Sequence, residues 1–207
     1  MCTIAMIIWA IFHPAGERAF AVVSTAMAPT LILGDYALMT PAYADGEAPE
    51  RGDVIAFRDP HYPLTIQMFR VIGLPGDSVR LVEGVIEING VPVAQELIGD
   101  YMIDFGYETI AARALRETLP NGAGYDTLDT EPAGFLDNTP DFAVPSGHYF
   151  VLGDNRDNAN DSRGVYGGMG FVPAGNVLGR MDRIIASCKP DGRFLAARTG
   201  LPIGPRG

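Results

Sequence analysis

Val79-Arg80-Leu81-Val82-Glu83-Gly84-Val85-Ile86-Glu87-Ile88-Asn89-Gly90 is the stretch that decides the fold class. Two short apolar-rich runs, 79–82 and 85–88, are parted by Glu83-Gly84 and closed by Asn89-Gly90. Asn-Gly next to such runs is a strong hairpin signal, because both residues tolerate the positive φ of a tight turn. Strand signals continue upstream. Ile66 to Ile72 stops at Gly73-Leu74-Pro75-Gly76-Asp77, and Asp53-Val54-Ile55-Ala56-Phe57 lies between Arg51-Gly52 and Asp59-Pro60. Tyr36-Ala37-Leu38-Met39 follows Gly34-Asp35, and Phe20-Ala21-Val22-Val23 precedes it. These runs predict an antiparallel meander. Downstream, 142–144, 148–152 and 177–186 resume the pattern. An all-β fold is expected.

Composition agrees. Gly 25 and Pro 16 make up about a fifth of 207 residues, more than a helical bundle tolerates. With 47% hydrophobic residues the chain can bury a core. A net charge of −10 argues against nucleic acid as a partner, since phosphates are met by a basic footprint. Cys2 and Cys188 cannot make a disulfide framework, and no CxxC or Cys/His cluster points to zinc, so neither metal nor cofactor is expected. Lys189 is the single lysine among 15 basic residues, so a lysine base would have to be Lys189.

Two regions depart from the strand pattern. Residues 96–143 are acidic and turn-rich, with breakers at Leu119-Pro120-Asn121-Gly122 and Leu136-Asp137-Asn138-Thr139-Pro140, and read as an inserted lobe. A short piece near Thr109 to Thr118 is a helix candidate. The apolar run Ile4 to Phe12 is the other; it is too short to span a bilayer, which needs about 20 residues. Within an N-terminal segment 1–18 it reads as a partial membrane anchor, the tail of a longer spanning helix, with an interfacial anchor or a buried first strand as alternatives. The expected organisation is this segment, a β-domain over 19–95 and 144–207, and the lobe over 96–143.

Ordered motifs carry a family resemblance. Ser24-Thr25-Ala26-Met27-Ala28-Pro29-Thr30-Leu31, Gly34-Asp35, Arg51-Gly52-Asp53-Val54 and Phe69-Arg70-Val71-Ile72-Gly73-Leu74-Pro75-Gly76-Asp77 occur in that order. They are followed by Gly153-Asp154-Asn155-Arg156-Asp157-Asn158-Ala159-Asn160-Asp161-Ser162-Arg163 and Gly170-Phe171-Val172-Pro173. Together they resemble the type I signal peptidases, whose first motif is Ser-x-Ser-Met-x-Pro-Thr-Leu. Arg116-Glu117-Thr118-Leu119-Pro120-Asn121-Gly122 also looks like the proteobacterial members.

The resemblance implies a signal-peptidase-type antiparallel β-fold with an inserted second lobe. It also implies a serine endopeptidase of the cell (inner) membrane, with its β-domain on the extracytoplasmic side, that removes signal peptides from exported preproteins. In that chemistry a serine attacks the scissile carbonyl, a lysine kept neutral by apolar burial takes its proton, and a second serine orients the amine. A backbone N–H and a nearby hydroxyl hold the oxyanion. Residue by residue, the nucleophile position is Ala26, the general-base position Phe69 and the orienting-serine position Ala159. None of the three side chains can attack a carbonyl or accept a proton. Ser24 falls at the oxyanion-hole hydroxyl, and Asp161 and Arg163 at a structural ion pair. Val22, Leu31 and Met68 map to a pocket for small side chains, with Val23, Met27 and Gln67 beside them in the peptide site.

The expected function is therefore a catalytically inactive, peptide-binding or regulatory homologue. The alternatives are an active peptidase with an unorthodox nucleophile and base, or a structural partner of an active paralogue. Expected partners are signal peptides or other extended peptides, the membrane surface, and an active signal peptidase paralogue. His13, His61 and His148 read as structural or exposed, and Ser24, Thr25 and Ser162 as hydroxyls displaced from the attacking position.

Overall fold

The computed structural model describes residues 16–41, 47–164, 168–189 and 191–204. Its strands are β1 (Arg18–Ala21), β2 (Asp35–Thr40), β3 (Val54–Arg58), β4 (Ile66–Gly73), β5 (Ser78–Val82), β6 (Val85–Ile88) and β7 (Val91–Pro92). They continue as β8 (Ala94–Asp104), β9 (Thr109–Thr118), β10 (Gly124–Asp129), β11 (Phe142–Ala143), β12 (His148–Leu152), β13 (Val172–Pro173) and β14 (Val177–Ser187). Both turns of the 79–90 stretch carry positive φ at their two central residues: Glu83 at 50° and Gly84 at 78°, Asn89 at 54° and Gly90 at 78°. That is the backbone hand that matches strand twist in two-residue hairpins.

Three antiparallel sheets result. A seven-stranded sheet runs β1-β2-β14-β3-β4-β12-β13, a four-stranded one β11-β5-β6-β7, and a three-stranded one β10-β9-β8. The all-β expectation holds. The main core joins Val54, Ile55, Phe57 and Val71 of the large sheet with Val22, Met27 and Leu31 from the turn between β1 and β2. The candidate site lies on this core.

The helix expected near Thr109–Thr118 is instead strand β9. Its Ala, Arg, Leu and Glu residues favour helix locally, but β9 is laddered on one side by β8 and on the other by β10. Ala112 and Ala114 face Ile103 and Leu128 in a small core of their own, so tertiary pairing overrides the local preference. The region read as weakly periodic thus contains the long strands β8 and β9. The apolar run 4–12 lies outside the described residues, and no described helix is long and apolar enough to cross a membrane.

Candidate functional site

β1 ends at Ala21, and the chain stays tied to β2 for one more residue. Val22 N–H donates to Asp35 O (2.8 Å), and Gly34 N–H donates to Val22 O (3.2 Å). It then leaves the sheet as a tight turn, with Leu31 N–H donating to Met27 O (2.8 Å). Val22, Met27 and Leu31 point into the core, whereas Val23 and Ser24 are exposed, Val23 at 85%.

Opposite this segment runs the first half of β4. β12 pairs with β4 only from Arg70 onward, through Leu152↔Arg70, Val151↔Val71 and Phe150↔Gly73. The β4 edge at Ile66, Gln67 and Met68 that faces away from β3 therefore has no strand neighbour among the described residues. Between the two segments lies a groove of about 220 Å³, walled by Val22, Val23, Ser24, Met27 and Leu31 on one side and Gln67 and Met68 on the other. Ala26 and Phe69 line the same groove.

Ala159 joins them through Gly153. A Cβ built on Gly153 would collide with the Ala159 methyl, lie 2.7 Å from Ala26 O and 3.3 Å from the Phe69 ring. The three positions therefore converge on one point, and only glycine fits at their centre. The loop carrying Ala159 is stitched to the Ala26 turn. Asn155 N–H donates to Ala26 O (3.0 Å), Asn155 Nδ2 to Thr25 O (3.1 Å) and Asn158 Nδ2 to the Thr25 hydroxyl (2.6 Å). Ala26 N–H donates to Ser24 Oγ (3.2 Å), which sets the two hydrogen-bonding groups side by side at the groove wall.

Three buried ion pairs hold this arrangement. Arg163 grips Asp161 through Nε and Nη2, both at 2.9 Å, and Asp161 Oδ2 also accepts Gly153 N–H (3.0 Å). Arg70, next to Phe69 and 1% exposed, donates to both Asp154 oxygens (2.8 and 2.6 Å), to Gly52 O and to Thr30 Oγ1, beneath the Tyr125 ring. Burial alone lowers its pKa, but Asp154 overcomes this and the net shift is upward. Arg156 forks onto Glu117 of β9 (2.7 and 2.6 Å), and Tyr125 donates its hydroxyl to the same carboxylate (2.6 Å). The last two pairs are absent from the sequence reading. Arg70 and Asp154 both stand in recognisable motifs, but nothing in the motifs says that they meet. Glu117 and Arg156 are 39 residues apart on different parts of the fold.

Glu117 supplies a pH signature. Burial pushes its carboxyl up, yet the Arg156 guanidinium and the hydrogen bonds prevail and hold it below the ordinary glutamate value of 4.5. A depressed carboxyl stabilises the fold above its ordinary value, and that contribution is lost as pH falls through the lower, folded-state value. Glu117→Gln is expected to cost about 3 kcal/mol at pH 7. The gap to the unsubstituted protein should close as melting is followed downward from pH 4.5. A gap that stays constant with pH would contradict the assignment.

Among the described residues, no other group substitutes at the convergence point. Lys189 Nζ is held by Asp104 Oδ2 (2.9 Å) beside β8 and does not line the groove. His61 is exposed, and His148 Nδ1 is engaged with Ser146 O (2.9 Å). The Ser162 hydroxyl donates to Gly170 O (2.7 Å) and accepts Val151 N–H (3.0 Å), a structural role. Among the described residues no His, Cys, Asp and Glu side chains cluster as a metal site requires. What remains is an apolar groove with an exposed hydroxyl and, among the described residues, an unpaired strand edge.

Residues 1–186 match the family model described as signal peptidase, peptidase S26. The Signal peptidase I of Rickettsia typhi (strain ATCC VR-144 / Wilmington) is 41% identical over 147 residues, 68% of this chain and 53% of that protein. That of Rickettsia bellii (strain OSU 85-389) is 42% identical over 147 residues, 68% of this chain and 49% of the relative. The chain thus spans about half the length of these curated relatives. A crystal structure of a signal peptidase I from Enterococcus faecalis V583 is 29% identical, covering 65% of this chain and 97% of that one, at a TM-score of 0.40. On the match over 1–186, and on the relatives' identity over 147 residues, the chain belongs to the signal peptidase family, peptidase S26.

Proposed function

We propose that this chain is a non-cleaving member of its family that binds extended peptide segments with small side chains, signal peptides among them. The observation that carries the reading is the convergence of Ala26, Phe69 and Ala159 around Gly153, with no nucleophile or base among them. The groove supports binding without chemistry. An extended peptide laid between residues 22–24 and 66–68 would add a strand to the unpaired edge of β4. Val22, Leu31 and Met68 leave shallow apolar room for small side chains, and the Ser24 hydroxyl, its oxygen accepting from Ala26 N–H, keeps its hydrogen for a peptide carbonyl.

A membrane surface is the second partner in this reading, with the β-structure on the extracytoplasmic side and residues 96–143 as an inserted lobe. Its support is the exposed apolar set by the groove: Val23 at 85%, Tyr62 at 71% and Leu64 at 101%. The relatives are named as ordinary signal peptidase I, so an assay for cleavage is the direct test. Purified protein incubated with a standard signal-peptide substrate at neutral and alkaline pH is expected to leave it intact. Losing one member of a cooperating catalytic unit removes most of the rate, and three are replaced here. Turnover abolished by Ser24→Ala would sink the reading and favour an active enzyme with an unorthodox nucleophile. Absence of both cleavage and peptide binding would favour a structural partner of an active paralogue.

A further inference from the structure

We infer that the groove takes intact, uncharged internal segments of a chain and rejects the same segment once cleavage has left a carboxylate at its end. The protein would then hold uncleaved precursors and release products. This rests on the peptide-binding reading above and adds a specificity to it.

The argument is electrostatic. Among the described residues, no charged side chain lines the groove. A peptide backbone needs none: its carbonyl meets the Ser24 hydroxyl, whose own hydrogen is free to donate because its oxygen accepts from Ala26 N–H. A terminal carboxylate opposite Ala26 is a different guest. It would surrender water and find one neutral hydroxyl donor, the Phe69 ring and the Ala159 methyl, with no cation among the residues lining the groove. The charge that touches the Gln67 wall has the wrong sign, and Arg58, across from Ile66 on β3, is exposed to solvent and does not line the groove. Asp59 is 5% exposed, accepts Gln67 Nε2 at 3.3 Å, and is held by the N–H groups of His61 (2.8 Å) and Tyr62 (3.0 Å). With lysine in place of Phe69, a carboxylate arriving beside the otherwise neutral amine would favour its protonation and pair with the ammonium so formed. The phenyl ring removes that partner and leaves affinity for the uncharged backbone.

The test compares three acetylated peptides by calorimetry at neutral pH. One carries Ala-Gln-Ala in its middle with an amidated far end; the others stop after the second Ala, one as the free acid and one as the amide. The long peptide and the short amide should bind alike, and the acid at least about tenfold more weakly. Met68→Lys, which places a cation at the groove wall, should bring the acid to within a few-fold of the amide. An acid that binds as tightly as its amide overturns the inference. So does a short amide as weak as the acid, because length and not charge would then decide, and so does an unchanged gap in Met68→Lys. Binding of all three peptides with equal affinity leaves peptide binding standing and removes only the discrimination. Binding of none removes both.

Discussion

Ala26→Ser alone is expected to yield no measurable peptidase activity, whereas Ala26→Ser with Phe69→Lys is expected to yield some, and Ala159→Ser added to the pair to yield more. A serine without a base is a weak nucleophile at neutral pH. General-base assistance contributes roughly 10²–10⁴-fold, which sets the expected gap between the single and the multiple variants. The geometry favours the rescue because the backbone frame is in place. Ala26 O is bound by Asn155 N–H, the Ala159 loop is tied to Thr25, and Gly153 brings all three positions together. Phe69 is 3% exposed and its ring lies 6.3 Å from that of Phe57, centroid to centroid. A lysine amine there would meet the apolar surroundings that lower its pKa toward the working range. The opposing effect is packing. The cavity fits a rigid ring, and a flexible lysine must find a rotamer that reaches the hydroxyl introduced at position 26 without strain in a core built for phenylalanine.

The decisive comparison is one substrate across the single, double and triple variants at matched stability. Measurable cleavage by Ala26→Ser alone would mean that another base reaches position 26, with His61 the first to remove.

Arg70→Met is expected to cost about 3–5 kcal/mol, the largest loss of stability for any single substitution at the site. The methionine retains much of the apolar bulk but leaves Asp154, itself 1% exposed, as a buried carboxylate without its guanidinium. It also releases Gly52 O and Thr30 Oγ1 from their donors. Much of the cost is the stranded charge rather than the worth of the pair, so adding Asp154→Asn should return part of it. Arg183→Ala makes the control. Its partner Asp182 is a neighbour in sequence, half-buried where Arg183 is exposed, so the change should stay below about 1 kcal/mol. Chemical denaturation midpoints of the four proteins measure the series. A loss in Arg70→Met no larger than in Arg183→Ala would show that the buried pair contributes nothing to the fold.

Much of the fold is legible locally. The Glu83-Gly84 and Asn89-Gly90 turns announce themselves because their residues suit positive φ. The cores of three strand runs, 54–57, 71–72 and 149–152, announce themselves because a strand buried on both faces needs consecutive apolar side chains. The apolar side chains at 26, 69 and 159 are legible too, because each stands inside one of the ordered motifs. β9 is not legible. Its alanines and arginines satisfy a helix as well as a strand, and only the ladders to β8 and β10 choose between them. The partners of Arg70 and Glu117 are hidden for the same reason. A buried charge shows in the sequence only as a charged residue, and which carboxylate or guanidinium neutralises it is settled by segments that meet from distant parts of the chain. The sequence by itself therefore determined most of the strands, the turns and the apolar character of positions 26, 69 and 159, since these follow from residue type at a position. The tertiary structure alone decided that the three positions meet around Gly153 and that the edge of β4 beside them stays unpaired, because both depend on where β12 stops pairing and on how closely two backbones can approach.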